Sequence, residues 1–183
     1  MEVRGKMRTL PLAEYLHPAI TKRWVPEIQG WGLFTTHPLP AGEILMRDDG
    51  LLITPEEFHQ LPPEHQEYPY NVTDGLLLAP ENLYCPSDNW RMNHSCEPTA
   101  GYQHPFIWVA LRNIAAGEEV TFDYAIAWTE VGLQEPIRCT CRSRHCRGLI
   151  TSSDWKIPLV QKKYRGFFTP DVEAKILHVY GQP

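Results

Sequence analysis

Long apolar runs are missing from this chain of 183 residues. None approaches the roughly 20 residues a bilayer-spanning helix needs, so such a helix is excluded. The first ten residues carry Glu2, Arg4, Lys6 and Arg8 and little apolar surface. They lack the apolar core of a secretory signal, and a soluble protein of the cytoplasm or nucleus is expected. Basic charge is also scarce, with 17 Lys and Arg against 22 Asp and Glu and a net charge of −5. That balance argues against a general binder of nucleic acid, and no direct nucleic-acid contact is expected. Neither an internal repeat nor a low-complexity tract is present. The 17 Pro and 12 Gly leave little room for long helices, so turns and short elements should dominate.

What is present fits one domain with a core and a small appendage: 43% hydrophobic and 21% charged residues are ordinary for a globular protein. The charge is unevenly spread. Residues 1–137 hold 8 Lys and Arg against 19 Asp and Glu, whereas residues 138–165 hold 8 against 1. An acidic body suits a basic peptide, although solvated faces would give the same count.

After a lead-in over residues 1–26, strand-like runs are expected at Gly32–Thr36, Glu43–Met46, Leu51–Thr54 and Gly75–Ala79. A short helix within Pro55–Tyr70 should open at Thr54 and Pro55. Phe106–Leu111 and Glu119–Tyr124, separated by Ala115-Ala116-Gly117-Glu118, predict a strand–turn–strand unit. Two short helices should close the chain, one near Asp154–Tyr164 and one starting at Thr169-Pro170.

Three of the five cysteines stand in Cys139-Thr140-Cys141 and Cys146. Thiolates at this spacing can converge on one tetrahedral zinc ion. So short and polar a segment would take much of its order from the metal. The fourth ligand comes from Cys96, Cys85 or His145. His145 adjoins Cys146, and neighbours rarely reach one metal together without strain. Cys85 reads as an ordinary semi-buried thiol. Cys96, in the polar cluster Asn93-His94-Ser95-Cys96, is the choice, and it ties that cluster to the C-terminal segment.

Three separated segments resemble the SET-domain methyltransferases with a zinc-binding post-SET tail. They are Gly30-Trp31-Gly32-Leu33-Phe34 with Leu39-Pro40-Ala41-Gly42-Glu43, then Asn93-His94-Ser95-Cys96-Glu97-Pro98, then Ala116–Tyr124 with Cys139–Leu149 behind it. The resemblance implies a mainly β (β-rich α+β) fold of small curved sheets around a pseudoknot, with C-terminal helices. It implies a SET domain over residues 27–126 with a variable insert at about 55–88. A post-SET zinc segment over 127–150 and a helical tail over 151–183 follow. It supports Cys96 as fourth ligand beside Cys139, Cys141 and Cys146.

The activity implied is transfer of a methyl group from S-adenosylmethionine to a lysine amine of a protein or peptide. Gly30, Trp31, Gly32, Asn93, His94, Tyr124 and Leu149 are the implied cofactor contacts. Tyr124 is the implied catalytic residue, and Tyr102 and Phe122 are walls of the lysine channel. Phe122, which has no hydroxyl, implies di- or trimethylation. Asp48-Asp49-Gly50 departs from the Tyr-x-Gly common in the family, and its carboxylate would either hold a charged substrate or face solvent. Thr99 and Arg142 also depart, replacing a usual Asn and a common Gly. No cysteine cluster precedes Gly30. A SET-like, zinc-stabilised module that binds peptide and transfers nothing is the competing reading. The sequence does not fix an oligomeric state.

Overall fold

The structure is a computed structural model that describes residues 8–10, 13–73, 75–103, 106–132 and 135–181. Residues 1–7 of the lead-in and the last two of the tail lie outside the described residues. In chain order the strands are β1 (Arg8–Thr9), β2 (Tyr15–Leu16), β3 (Ile20–Val25), β4 (Gly30–Thr35), β5 (Ile44–Arg47), β6 (Leu51–Ile53) and β7 (Tyr70–Thr73). They continue with β8 (Leu76–Ala79), β9 (Asn93–His94), β10 (Ala100–Gln103), β11 (Ile107–Ala110), β12 (Glu119–Phe122), β13 (Ile137–Arg138) and β14 (Leu149–Ile150). Helices α1 (Pro55–His59), α2 (Pro158–Lys163) and α3 (Pro170–Tyr180) complete the set. Among the described residues, no helix is long and apolar enough to cross a membrane.

The strands form three small sheets: β1-β6-β8-β7, an eight-stranded sheet ordered β2-β5-β11-β10-β12-β4-β3, and the β13–β14 pair. The eighth strand, β9, leaves this path to pair with β12. The mainly β expectation holds. Leu33, Leu45, Met46, Trp108, Val120 and Ile126 are at most 1% exposed and anchor the core.

Local chemistry explains several elements. Thr54 and Glu57 form a capping box at α1: the Glu57 N–H donates to Thr54 Oγ1 at 3.2 Å and the Thr54 N–H donates to Glu57 Oε2 at 2.8 Å. The turns before β5 and β12 need Gly42 and Gly117 at φ +83° and +80°, where a Cβ is disfavoured.

The expected strand–turn–strand order is present, with its turn at Gly117. β11 and β12 are both strands, yet β10 lies between them, antiparallel to β11 and parallel to β12. Sequence proximity favours a hairpin, and the Tyr102 and Trp108 side chains paired across β10 and β11 outweigh it. The first C-terminal helix is also shorter than expected. Pro158 starts α2 afresh after a 3-10 turn at Asp154–Lys156. Thr169 does precede α3 at the cap position, but its side chain makes no capping bond.

Candidate functional site

β12 is the scaffold of the site. On one side β9 runs parallel to it, with Thr121 opposite Asn93 and Phe122 opposite His94. On the other side β10 meets it at Ala100 opposite Phe122. The loop between β9 and β10 therefore passes around the end of β12, and the Ser95 and Thr99 amides donate to the Phe122 and Thr121 carbonyls. Thr99 is fully drawn into this crossing, its Oγ1 accepting from the Thr121 N–H at 2.9 Å. This crossing brings two distant sequence motifs together.

His94 is the hinge of the crossing. Its Nδ1 accepts the Tyr124 N–H at 3.1 Å, so the proton sits on Nε2, which points at Cys96 Sγ at 3.4 Å. Burial pulls its pKa down to about 4, leaving a neutral ring. The 3.8 Å approach of Nδ1 to Asp123 is thus no ion pair.

A cavity of about 470 Å³ opens beside β12, lined by Gly30, Trp31, Asn93, Phe122 and Tyr124 among others. A second, of about 530 Å³, shares Trp24, Ile28 and Asn93 with it and reaches His94, Glu119, Cys141 and Arg142. Aromatic rings make one wall: Trp108 to Phe122 at 4.7 Å, Phe122 to Tyr124 at 4.9 Å, Tyr124 to Trp128 at 3.9 Å. The Tyr124 hydroxyl makes no hydrogen bond among the described residues, and burial pushes its pKa well above the ordinary value. Trp128 Nε1 is buried without a partner among the described residues. Such a wall, with few and uncommitted polar atoms, suits an apolar or cationic group.

The two motif glycines have different reasons. A Cβ on Gly32 would lie 2.5 Å from Glu119 Oε1 and 2.9 Å from Asn93 Nδ2, whereas one on Gly30 meets nothing closer than 3.6 Å. Asn93 Nδ2 donates to Glu119 Oε1 at 2.8 Å and to the Trp31 carbonyl at 3.1 Å, stitching β9 to β4. Gly32→Ala is expected to strain that pair and lower the unfolding free energy by about 1–2 kcal/mol, with Gly30→Ala close to neutral. Equal urea midpoints for the two variants would refute this account.

Asp48 does not face solvent. It is 3% exposed and lines the first cavity, accepting from Trp108 Nε1 at 2.6 Å and the Tyr70 hydroxyl at 2.7 Å on Oδ2. Burial pushes its pKa up to about 6, with these hydrogen bonds pulling the other way.

The four sulfurs of Cys96, Cys139, Cys141 and Cys146 lie within 4.8 Å of one another. Zinc–sulfur bonds of about 2.3 Å place tetrahedral sulfurs about 3.8 Å apart. Cys96 and Cys139 stand at 3.9 Å. Burial holds the Cys96 thiol up at about 11, so it would stay protonated without a cation beside it. The cluster fits zinc. Cys85 is exposed and apart, and His145 instead meets Glu97 at 2.7 Å. Arg142, at a position where glycine is common, adopts φ +57°, the left-handed region.

A buried ionic clamp holds this segment to β12. Arg147 donates through both terminal nitrogens to Asp123, at 2.6 and 2.7 Å, and through Nε to Asp154 at 2.7 Å. The Tyr164 hydroxyl reaches Asp123 at 3.0 Å, and Lys163 Nζ donates to the Cys96 carbonyl at 2.7 Å. The helical tail therefore braces the cysteine cluster from behind.

The structure thus brings Gly30, Trp31, Asn93, Phe122 and Tyr124 to one cavity and His94 to its neighbour. Tyr102 sits one layer behind, 1% exposed, its ring 5.3 Å from Trp108 and its hydroxyl accepting from the Phe106 N–H. Leu149 lies on the β13–β14 pair, 50% exposed and on neither cavity wall. Sequence reasoning missed Tyr70, Trp108, Trp128 and Arg147. For the three aromatic residues the only signal is a density of such rings, which also describes a core, and Arg147 lies in a basic stretch.

Residues 30–125 match the family model described as SET domain. The histone-lysine N-methyltransferase ash1 of Drosophila melanogaster is 29% identical over 79% of this chain and 7% of its own length. The H3 lysine-4 specific histone-lysine N-methyltransferase of Candida albicans is 30% identical over 72% and 14%. This chain spans only a small part of these relatives. Two Arabidopsis thaliana relatives are described as probable inactive histone-lysine N-methyltransferases. The crystal structure of KRYPTONITE in complex with mCHG DNA and SAH matches with a TM-score of 0.58 and 20% identity. The match covers 73% of this chain and 29% of that one.

Proposed function

We propose that this chain, which belongs to the SET-domain family, transfers a methyl group from S-adenosylmethionine to the side-chain amine of a lysine in a protein. The observation that carries this reading is the meeting of Gly30, Asn93, Phe122 and Tyr124 on one cavity, whose neighbour reaches Cys141 of the cysteine cluster. Residues 27–126 are then the catalytic domain, with a variable insert at about 55–88. Residues 1–26 are a lead-in, 127–150 a zinc-binding segment and 151–183 a helical brace.

S-adenosylmethionine, when bound, supplies a methyl group on a sulfonium. The residues that would hold it are Gly30, Trp31, Asn93 and His94, with backbone and uncommitted polar groups at hand. Among the described residues Asn93 bonds only through Nδ2, which leaves its Oδ1 available. The aromatic wall excludes water, which matters because an amine attacks only when neutral and desolvated. Tyr124 offers a hydroxyl to align that amine. Phe122 offers none, so no water is held beside the amine. That supports di- or trimethylation. Tyr102 supports the wall from behind through Trp108.

Zinc would order the segment that closes the second cavity through Cys141 and Arg142. Cys141→Ser is expected to weaken cofactor binding about tenfold, read by calorimetry, the low end of what a damaged metal site usually costs in affinity or activity. Unchanged affinity in chelated protein would remove the tail from the site.

The reading as a whole is tested with labelled S-adenosylmethionine and a cell lysate, with modified residues mapped by mass spectrometry. Label on lysine, mostly as two or three methyl groups, is the expected result. An inert peptide-binding module, which the probable inactive relatives make worth testing, would give no binding heat with the cofactor and no label.

A further inference from the structure

We propose that Asp48 determines specificity in the aromatic cavity: its carboxylate receives the ammonium group of the incoming substrate side chain. The inference rests on the lysine-transfer reading and adds to it a residue with a defined task.

Asp48 is more than a prop for its neighbours. Its Oδ2 is saturated by Tyr70 and Trp108. Among the described residues its Oδ1 receives only Asn89 Nδ2, at 3.4 Å, and that amide already donates to the carbonyls of Arg47 at 2.9 Å and Tyr15 at 3.1 Å. Acceptor capacity therefore remains on Oδ1, in a residue that lines the cavity.

Charge points the same way. Among the described residues no ion pair with Asp48 is formed, and Glu14 adds further negative potential. Glu67 is a second carboxylate on the cavity wall. Among the described residues the one guanidinium there, Arg91, gives Nη1 to the neutral Tyr68 hydroxyl at 2.9 Å and keeps its charge, so the wall carries two carboxylates against one cation. A buried carboxylate without a counter-ion is costly, and a cationic ligand removes that cost. Around it, Tyr70, Trp108, Phe122, Tyr124 and Trp128 present aromatic rings, whose faces attract a cation and the methylene stem behind it. A neutral alcohol of equal length gains only the apolar part.

The test needs neither cofactor nor an identified substrate. The probe n-butylammonium chloride, an analogue of the lysine side chain, is titrated into nitrogen-15-labelled protein at constant ionic strength. The reporter is the indole N–H of Trp108, which touches Asp48 directly and is assigned by its loss in Trp108→Phe. A saturable shift with n-butylammonium is expected, with n-butanol at least tenfold weaker. Asp48→Asn should bind the cation at least tenfold more weakly and the alcohol unchanged. Equal binding of cation and alcohol by the wild type overturns the proposal, and this comparison stands even if the variant does not fold. Undiminished cation affinity in a folded Asp48→Asn overturns it as well. Cation binding in a protein that never transfers a methyl group would sink the function and keep the site. Methyl transfer with no cation preference would do the reverse.

Discussion

Arg147→Ala lowers the unfolding free energy by about 3–5 kcal/mol, the usual cost of stranding a buried charge. Asp123 is 0% exposed, and Asp154 5%, so neither carboxylate can turn to water when the guanidinium is removed. Two of the three lost bonds form a parallel fork on Asp123, a geometry that an ammonium cannot copy. Arg147→Lys should therefore recover only part of the loss. The damage also travels. Asp123 precedes Tyr124, and the Arg147 N–H itself donates to Cys96 Sγ at 3.4 Å, so the clamp ties the end of β12 and the cysteine cluster into one unit. Urea denaturation with metal-loaded protein reads the effect. A loss below about 1 kcal/mol would mean that water compensates Asp123, contrary to its burial.

The clamp also marks where reading the sequence stopped. The cysteine spacing picks out three members of the sulfur cluster, Cys139, Cys141 and Cys146, because thiols that could share one ion must be few, polar in setting and close together. Cys96 was reachable only because Asn93, His94 and Ser95 mark a segment placed at a site. Arg147, two residues from Leu149 in the same basic stretch, carried no comparable mark. An arginine there reads as solvated charge until Asp123 is known to lie beneath it. Asp48 shows the same limit from the other side. Its two alternatives differed only in which way the end of β5 faces, and that is fixed by Trp108 across the sheet, 60 residues away. Strands with regular apolar pattern were legible at β4, β5, β6, β8, β11 and β12. Their order was not, because β10 enters between β11 and β12 by long-range packing that no local period records. The one-layer displacement of Tyr102 behind the wall has the same cause.

Tyr124→Phe is the sharpest separation of chemistry from structure that this site permits. The ring stays, and with it the contacts to His94 at 5.0 Å, Phe122 at 4.9 Å and Trp128 at 3.9 Å. The backbone bond to His94 Nδ1 also stays. Only a hydroxyl without a partner among the described residues is removed, so no protein group is left unsatisfied. Stability should hold within about 0.5 kcal/mol, and cofactor affinity should stay within about twofold. If Tyr124 aligns the reacting amine as proposed, turnover is different, because such a group acts only in the transition state. Losing one such preorganised contact typically costs about 100- to 1000-fold in kcat. The loss should appear in kcat and in kcat/KM alike, since the hydroxyl contributes little to ground-state binding. Single-turnover measurement with saturating cofactor isolates the chemical step. A variant that turns over at the wild-type rate, with its fold intact, would leave the aromatic wall and the desolvation it provides as the whole of this chain's contribution to catalysis.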